Sequence, residues 1–150
     1  MASTKKMIGF GTTISMKATT ASTTTYTVLA GLISAPGPDG TADDIDTSTI
    51  DNSTDSDLRN FKSYARGQVD PGEMTLTLSY GSTDATSKQL GTLYKSGDNQ
   101  DWKVTFPSAT ATAETFEGYV KSMGRELEKD SMIRRAVGIK VTGWPGFPTT

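Results

Sequence analysis

The chain has 150 residues, a formal net charge of −2, 34% hydrophobic residues, and neither cysteine nor histidine. Lacking both, it has no disulfide, no thiolate nucleophile, no Cys-ligated metal, and neither the commonest general acid–base nor the commonest transition-metal ligand. The length suits one domain over residues 1–150, the small charge supplies no bulk positive field for nucleic acid, and the low apolar content favours half-wet antiparallel sheets over a helical bundle.

Residues 1–23 carry no sustained hydrophobic period and read as an N-terminal arm. Thr24 to Ile33 places Tyr26, Val28, Ala30 and Leu32 on one face of an expected strand. Pro36-Gly37-Pro38-Asp39-Gly40 then marks a turn, and a shorter strand is expected over Asp43 to Ile50 with Ile45 inward. Asp51 to Pro71 reads as one polar excursion of about 20 residues, longer than most loops inside a compact domain.

The clearest strand runs from Glu73 to Tyr80, where Met74, Leu76, Leu78 and Tyr80 alternate with Glu73, Thr75, Thr77 and Ser79. A helix follows, with Ser82, Thr83 or Asp84 as its N-cap, an apolar stripe of Leu90, Leu93 and Tyr94, and a stop at Gly97. Trp102, Val104 and Phe106 alternate inward up to Pro107. Thr115 to Met123 sets Phe116 and Val120 on one face and Tyr119 and Met123 on the other. The last strand alternates Ile133, Arg135, Val137, Ile139 and Val141, with Arg135 expected at a sheet margin where it reaches water. Trp144 and Phe147 follow in a tail that cannot continue a strand and whose aromatics call for burial against a neighbour.

The expected fold is therefore mainly β: an antiparallel sandwich or barrel of about six strands with one flanking α-helix, a long inter-strand loop and an N-terminal arm. No apolar run is long enough for a signal peptide or a bilayer span, so a cytosol-like compartment without a membrane anchor is expected.

Candidate chemistry concentrates between residues 39 and 66. Asp39, Asp43, Asp44, Asp46, Asp51, Asp55 and Asp57 follow one another with no positive charge among them, and Arg59, Lys62 and Arg66 then follow, interleaved with Phe61 and Tyr64. Asp51, Ser53, Asp55 and Asp57 alternate as calcium ligands do. A calcium loop needs glycine at its sixth position and a bidentate acid at its twelfth, and here these are Ser56 and Lys62. A solvated acidic surface fits better. The basic and aromatic group would suit single-stranded nucleic acid, but cations that meet an acidic face on a second copy account for it with the Asp run included. Gly9-Phe10-Gly11 starts like a phosphate loop but lacks the third glycine and a following helix. Asn52-Ser53-Thr54 matches the glycosylation sequon by chance, and no nucleophile–base spacing occurs; neither an enzyme nor a cofactor is expected.

The order of these features resembles the major tail tube protein family of long, non-contractile-tailed bacteriophages. The similarity runs over roughly residues 24–143. It is carried by Leu32-Ile33-Ser34-Ala35-Pro36-Gly37-Pro38, the Asp-rich Ala42 to Thr49, the charged loop through Phe61, Tyr64 and Gly67, Asp70-Pro71-Gly72-Glu73-Met74-Thr75-Leu76 with its strand, the short helix, and Trp102 to Pro107. The resemblance implies a virion protein that self-assembles into stacked hexameric rings. DNA would pass through the tube without specific binding, and a tape-measure protein, a baseplate initiator and a tail terminator would be partners. Assembly would take place in the host cytoplasm.

On that reading Asp51, Asp55, Asp57, Arg59, Phe61, Lys62, Tyr64 and Arg66 form an inter-ring or inter-subunit contact, residues 51–72 being the joint, and Asp43, Asp44 and Asp46 face the lumen or its rim. The alternative is a monomeric adhesion or carbohydrate-binding sandwich, calcium-dependent or not, that uses Trp102, Trp144 or the Asp loop.

Overall fold

The computed structural model describes residues 9–17, 26–48, 61–81, 84–107 and 112–147. In chain order these form β1 (Thr13–Lys17), β2 (Tyr26–Val28), β3 (Leu32–Ser34), β4 (Thr41–Asp46), β5 (Tyr64–Asp70), β6 (Glu73–Ser79), α1 (Ala85–Ser96), β7 (Gln100–Thr105), β8 (Ala113–Glu126) and β9 (Arg134–Thr142). Seven strands make one antiparallel sheet in the order β2-β1-β7-β8-β9-β6-β3, and β4 pairs with β5 as a separate ribbon.

The chain itself forces the large sheet to close. Six inter-strand gaps at about 4.8 Å would hold the β2 and β3 edges roughly 29 Å apart in a flat sheet. Yet Leu29–Gly31 alone joins those edges, and four Cα steps reach at most about 14 Å. Leu29 donates its N–H to Ile14 O on β1 at 2.8 Å, and Ser79 of β6 donates to Gly31 O at 2.8 Å, so the short turn stitches both edges. Gly31 has φ 73°, and a Cβ there would lie 1.9 Å from Ser79 Oγ, so only glycine makes this turn. The result is a barrel.

Its interior holds one face of every long strand. Ile14, Met16, Leu76, Trp102, Val137 and Ile139 are wholly buried, and Met74, Leu78, Phe116, Val120 and Val141 pack with them. α1 adds Leu90 and Leu93 and lies chiefly against β8. Trp102 Nε1–H donates to Gly118 O at 3.2 Å, which satisfies the one polar atom of the largest core side chain.

Several expectations are corrected. Residues 13–17 of the supposed arm are β1, in the core between β2 and β7; their apolar alternation, Ile14 and Met16, is two residues long and too short to register as a period. The Thr24–Ile33 strand is two strands, β2 and β3, broken at Gly31. β4 ends at Asp46 rather than Ile50, and Ile45 is 53% exposed because the ribbon has no layer behind it. β5 occupies Tyr64–Asp70, the second half of the supposed loop.

Met123 packs against the core although simple alternation sends it outward. The β8–β9 register shifts between Val120 and Ser122, and the extra residue returns Met123 to the inner face opposite Val137. Tyr94 is half exposed, since α1 buries Thr86, Ser87, Leu90 and Leu93 and leaves Tyr94 at the border of that stripe. Arg135 lies on an interior strand, near its end rather than at a sheet margin. Its guanidinium stacks 4.8 Å from the Tyr80 ring centroid and donates to Ser87 O at 3.4 Å.

Asp84 is the N-cap position of α1 but makes no side-chain bond to the helix N–H groups, and Gly97 ends the helix by donating to Leu93 O at 2.9 Å. A Cβ at Gly91 would meet no heavy atom within 4 Å. Gly91→Ala is therefore expected to stabilise the fold by about 1 kcal/mol, read as a higher urea midpoint with an unchanged slope; a lower midpoint would contradict the open surroundings.

Candidate assembly surfaces

Among the described residues apolar surface is uncovered on the β4–β5 ribbon, at the end of the barrel from which it springs, and at the β8–β9 turn, where Leu127, Met132 and Ile133 are exposed; the first two adjoin one another.

The ribbon begins at a braced base. Asp70 accepts a hydrogen bond from Gly72 N–H at 2.9 Å and an ion-paired one from Lys140 Nζ on β9 at 2.8 Å. The Lys140 bond, then the Gly72 bond, hold the Asp70 carboxyl below the usual carboxylate range. Gly72 takes φ 85° and passes so close to Asp39 that a Cβ would lie 2.3 Å from the Asp39 carbonyl. Asp70-Pro71-Gly72 thus fixes the angle at which the ribbon leaves the barrel.

Along the ribbon Thr41 pairs with Asp70, Ala42 with Val69, Asp44 with Arg66, Ile45 with Ala65 and Asp46 with Tyr64. The register slips between Ala42 and Asp44, so β5 carries one more residue than β4 there, and Gly67 lies against Asp43. At the distal end Thr47 N–H donates to Ser63 O and Ser63 N–H to Ser48 Oγ, both at 2.8 Å. The Asp46 carboxylate accepts Ser48 N–H at 2.9 Å, and this bond, helped by the Ser48 side chain and by the Lys62 charge, keeps its pKa low.

Neither face of the ribbon is covered. Phe61 is 72% exposed, Tyr64 57%, Ile45 53% and Val69 49%. An isolated two-stranded hairpin is marginal in water and offers unpaired edges on both sides. Exposed apolar side chains grouped on such a ribbon make it a candidate contact surface.

The residues singled out from the sequence divide accordingly. Asp43, Asp44 and Asp46 are exposed on β4, Tyr64 and Arg66 are exposed on β5, and Phe61 and Lys62 are exposed beside its start. The ribbon brings Asp44 opposite Arg66 in register and leaves Lys62 close enough for its charge to act on Asp46, but among the described residues neither cation makes an ion pair within 4 Å. Asp51, Asp55, Asp57 and Arg59, with the calcium-like spacing, lie outside the described residues. Among the described residues no three acidic side chains converge as a metal site requires.

The second region is the barrel end where β3, β7 and β9 finish and β1, β6 and β8 start. A cavity of about 580 Å³ opens there, lined by Phe10, Ile33, Phe106, Pro145 and Phe147 with Glu114 as its carboxylate. Burial pushes the Glu114 carboxyl above its usual range. Phe10 is 88% exposed. Phe147 meets Trp144 edge-on, ring centroids 6.3 Å apart, and Trp144 Nε1–H donates to Phe147 O at 3.2 Å, yet Trp144 stays 62% exposed.

Sequence reasoning missed Phe10 and Glu114. The available signal was Gly9-Phe10-Gly11, which leads into strand β1 through a turn closed by Thr12 N–H to Gly9 O at 3.2 Å, and not into a helix as a phosphate loop would.

The outer sheet face is polar and mixed in sign. Lys121 pairs with Glu73, which raises the Lys121 pKa, and Lys17 pairs with Asp101 at 3.4 Å. These pairs are exposed and contribute little to stability.

The model of the lambda phage tail tube protein family matches residues 10–147. Structural protein 3 of Pseudomonas phage PAJU2 is 25% identical over 137 residues, an alignment covering 77% of this chain and 79% of that protein. Among solved structures, the SPP1 tail tube protein superposes with a TM-score of 0.67 at 13% identity, covering 92% of this chain and 77% of the other. A chain of the anti-feeding prophage baseplate superposes with a TM-score of 0.69 at 7% identity, covering 94% and 95%. The two superpositions show that both proteins share this fold, with its seven-stranded antiparallel sheet and one helix. The family match spans that barrel, the ribbon and the aromatic tail together, and so this chain belongs to the lambda phage tail tube protein family, a structural protein of the phage tail and not an enzyme.

Proposed function

We propose that the chain assembles into hexameric rings that stack into a tube conducting DNA, with residues 51–72 as the joint between subunits. The observation that carries this reading is the β4–β5 ribbon, which stands off a complete barrel and exposes Ile45, Phe61, Tyr64 and Val69. A ribbon of that kind gains stability only when a neighbour covers it.

Asp43, Asp44 and Asp46 suit a lumen or its rim. A conduit must not hold the polyanion, because each phosphate that is neutralised releases counterions and retains the strand. Exposed carboxylates repel it instead. Tape-measure protein, baseplate initiator and tail terminator would be the other partners, with assembly in the host cytoplasm.

Negative-stain microscopy of the concentrated protein, with light scattering over a dilution series, tests the reading. Rings or tubes with a central hole are expected. A particle that stays monomeric at all concentrations would refute it and favour a monomeric binding module. Such a module could not stack sugar on Trp102, which is wholly buried.

A further inference from the structure

We infer that the open end of the barrel is the socket for the ribbon of a second copy of this chain, with Phe61 seated between Phe10 and Phe147 and Lys62 paired with Glu114. This rests on the tube reading and names the surface that receives the same ribbon.

The socket and the plug match in chemistry. The cavity of about 580 Å³ is apolar around one carboxylate, Glu114. An ionised carboxylate in apolar surroundings is costly until a cation meets it, and its raised pKa expresses that cost. The plug offers the complement: Phe61 is 72% exposed, and Lys62 beside it is exposed and has no ion pair within 4 Å among the described residues. An aromatic anchor in a pocket with an adjacent charge pair is the usual form of a binding hot spot.

The chain cannot fill its own socket. Gly37, Pro38 and Met74 border the cavity, so the ribbon springs from its rim. Thr41–Asp46 is six extended residues, about 20 Å, and Phe61 lies beyond the far end of that strand. A neighbour must therefore supply the plug. Plug and socket are different surfaces of one chain, so the contact is heterologous and propagates instead of closing as a two-fold dimer.

Charge exchange tests the pairing. Glu114→Lys and Lys62→Glu, each alone, are expected to raise the protein concentration needed for assembly by roughly tenfold or more. Mixing the two single variants should restore assembly, because each then presents the charge the other's socket or plug requires. The double variant should recover by itself.

A second readout does not depend on long tubes. Because the chain has no cysteine, Phe10→Cys and Phe61→Cys variants mixed under mild oxidation should give a disulfide-linked heterodimer in excess over either homodimer. Tubes from every charge variant, or tubes without the Phe10–Phe61 cross-link, would overturn the socket and leave the tube reading standing. An unsubstituted protein that never assembles would overturn both.

Discussion

A chain in which Asn-Gly replaces residues 49–62 should fold as the full chain does and form no tubes. The join is set by the ribbon itself: Thr47, Ser48 and Ser63 already hydrogen-bond across its end, so two residues of a tight turn can connect Ser48 to Ser63 without disturbing the Asp46–Tyr64 pair. Shortening the connection lowers the entropy of closing the hairpin by about 1–2 kcal/mol, so the monomer should melt no lower than the parent. Among the described residues, those of the barrel core lie outside the replaced segment. Thermal unfolding by circular dichroism, together with pelleting and microscopy at concentrations where the parent assembles, reads both halves of the result. Normal tubes from the shortened chain would remove this segment from the joint. Unfolding would show instead that the segment belongs to the fold.

Trp102→Ala should cost about 3–5 kcal/mol, a large part of the roughly 5–15 kcal/mol that holds a domain together. The indole is 0% exposed and sits on β7 opposite Phe116, so its removal leaves a cavity in the middle of the barrel and removes the hydrogen bond to Gly118 O. For a chain of this length the change corresponds to a fall in Tm of about 6–20 °C. Trp102→Phe keeps most of the apolar volume and should lose less. Trp144→Ala, at a site 62% exposed, should leave monomer stability within about 0.5 kcal/mol and act on assembly instead. Equal losses from the two tryptophans in urea unfolding would contradict the assignment of one to the core and the other to the surface.

Legibility followed the strength of local patterns. Glu73–Ser79, Gln100–Thr105 and Arg134–Thr142 alternate, and their buried faces were readable except at Ile133, which was read onto the apolar face of the last strand but precedes β9 and is 42% exposed. The helix was readable from Leu90, Leu93 and the Gly97 stop, but Tyr94 was not placed correctly, because one stripe on a short helix does not say where its border lies. β1 escaped because five residues flanked by polar sequence carry almost no period, although β7 on one side and β2 on the other make it interior. β5 escaped for a different reason. Tyr-Ala-Arg-Gly-Gln-Val-Asp has no apolar face, and it is a strand only because β4 supplies its hydrogen bonds. Met123 shows the limit of alternation, since a single extra residue in a ladder reverses every later side chain.

The candidate contact was legible in part. An Asp-rich run followed by interleaved aromatics and cations pointed to residues 39–66, and the exposed side chains of the ribbon lie there. That Asp44 faces Arg66 across the ribbon was not legible, because cross-strand register depends on the bulge at Gly67 and on the brace at Asp70.

By itself, the sequence determined the class of molecule: no His, no Cys and no catalytic spacing, with period-2 alternation that commits the chain to antiparallel β structure. Those properties are local, set by which side chains exist and how they alternate. Only the tertiary structure decided that the sheet closes on itself, because closure is a distance constraint between β2 and β3 that no single strand records. It also decided that the ribbon stands apart and that Phe10, Glu114 and Phe147, distant along the chain, share one cavity. Long-range juxtaposition follows from the whole set of registers, and no window of the sequence contains it.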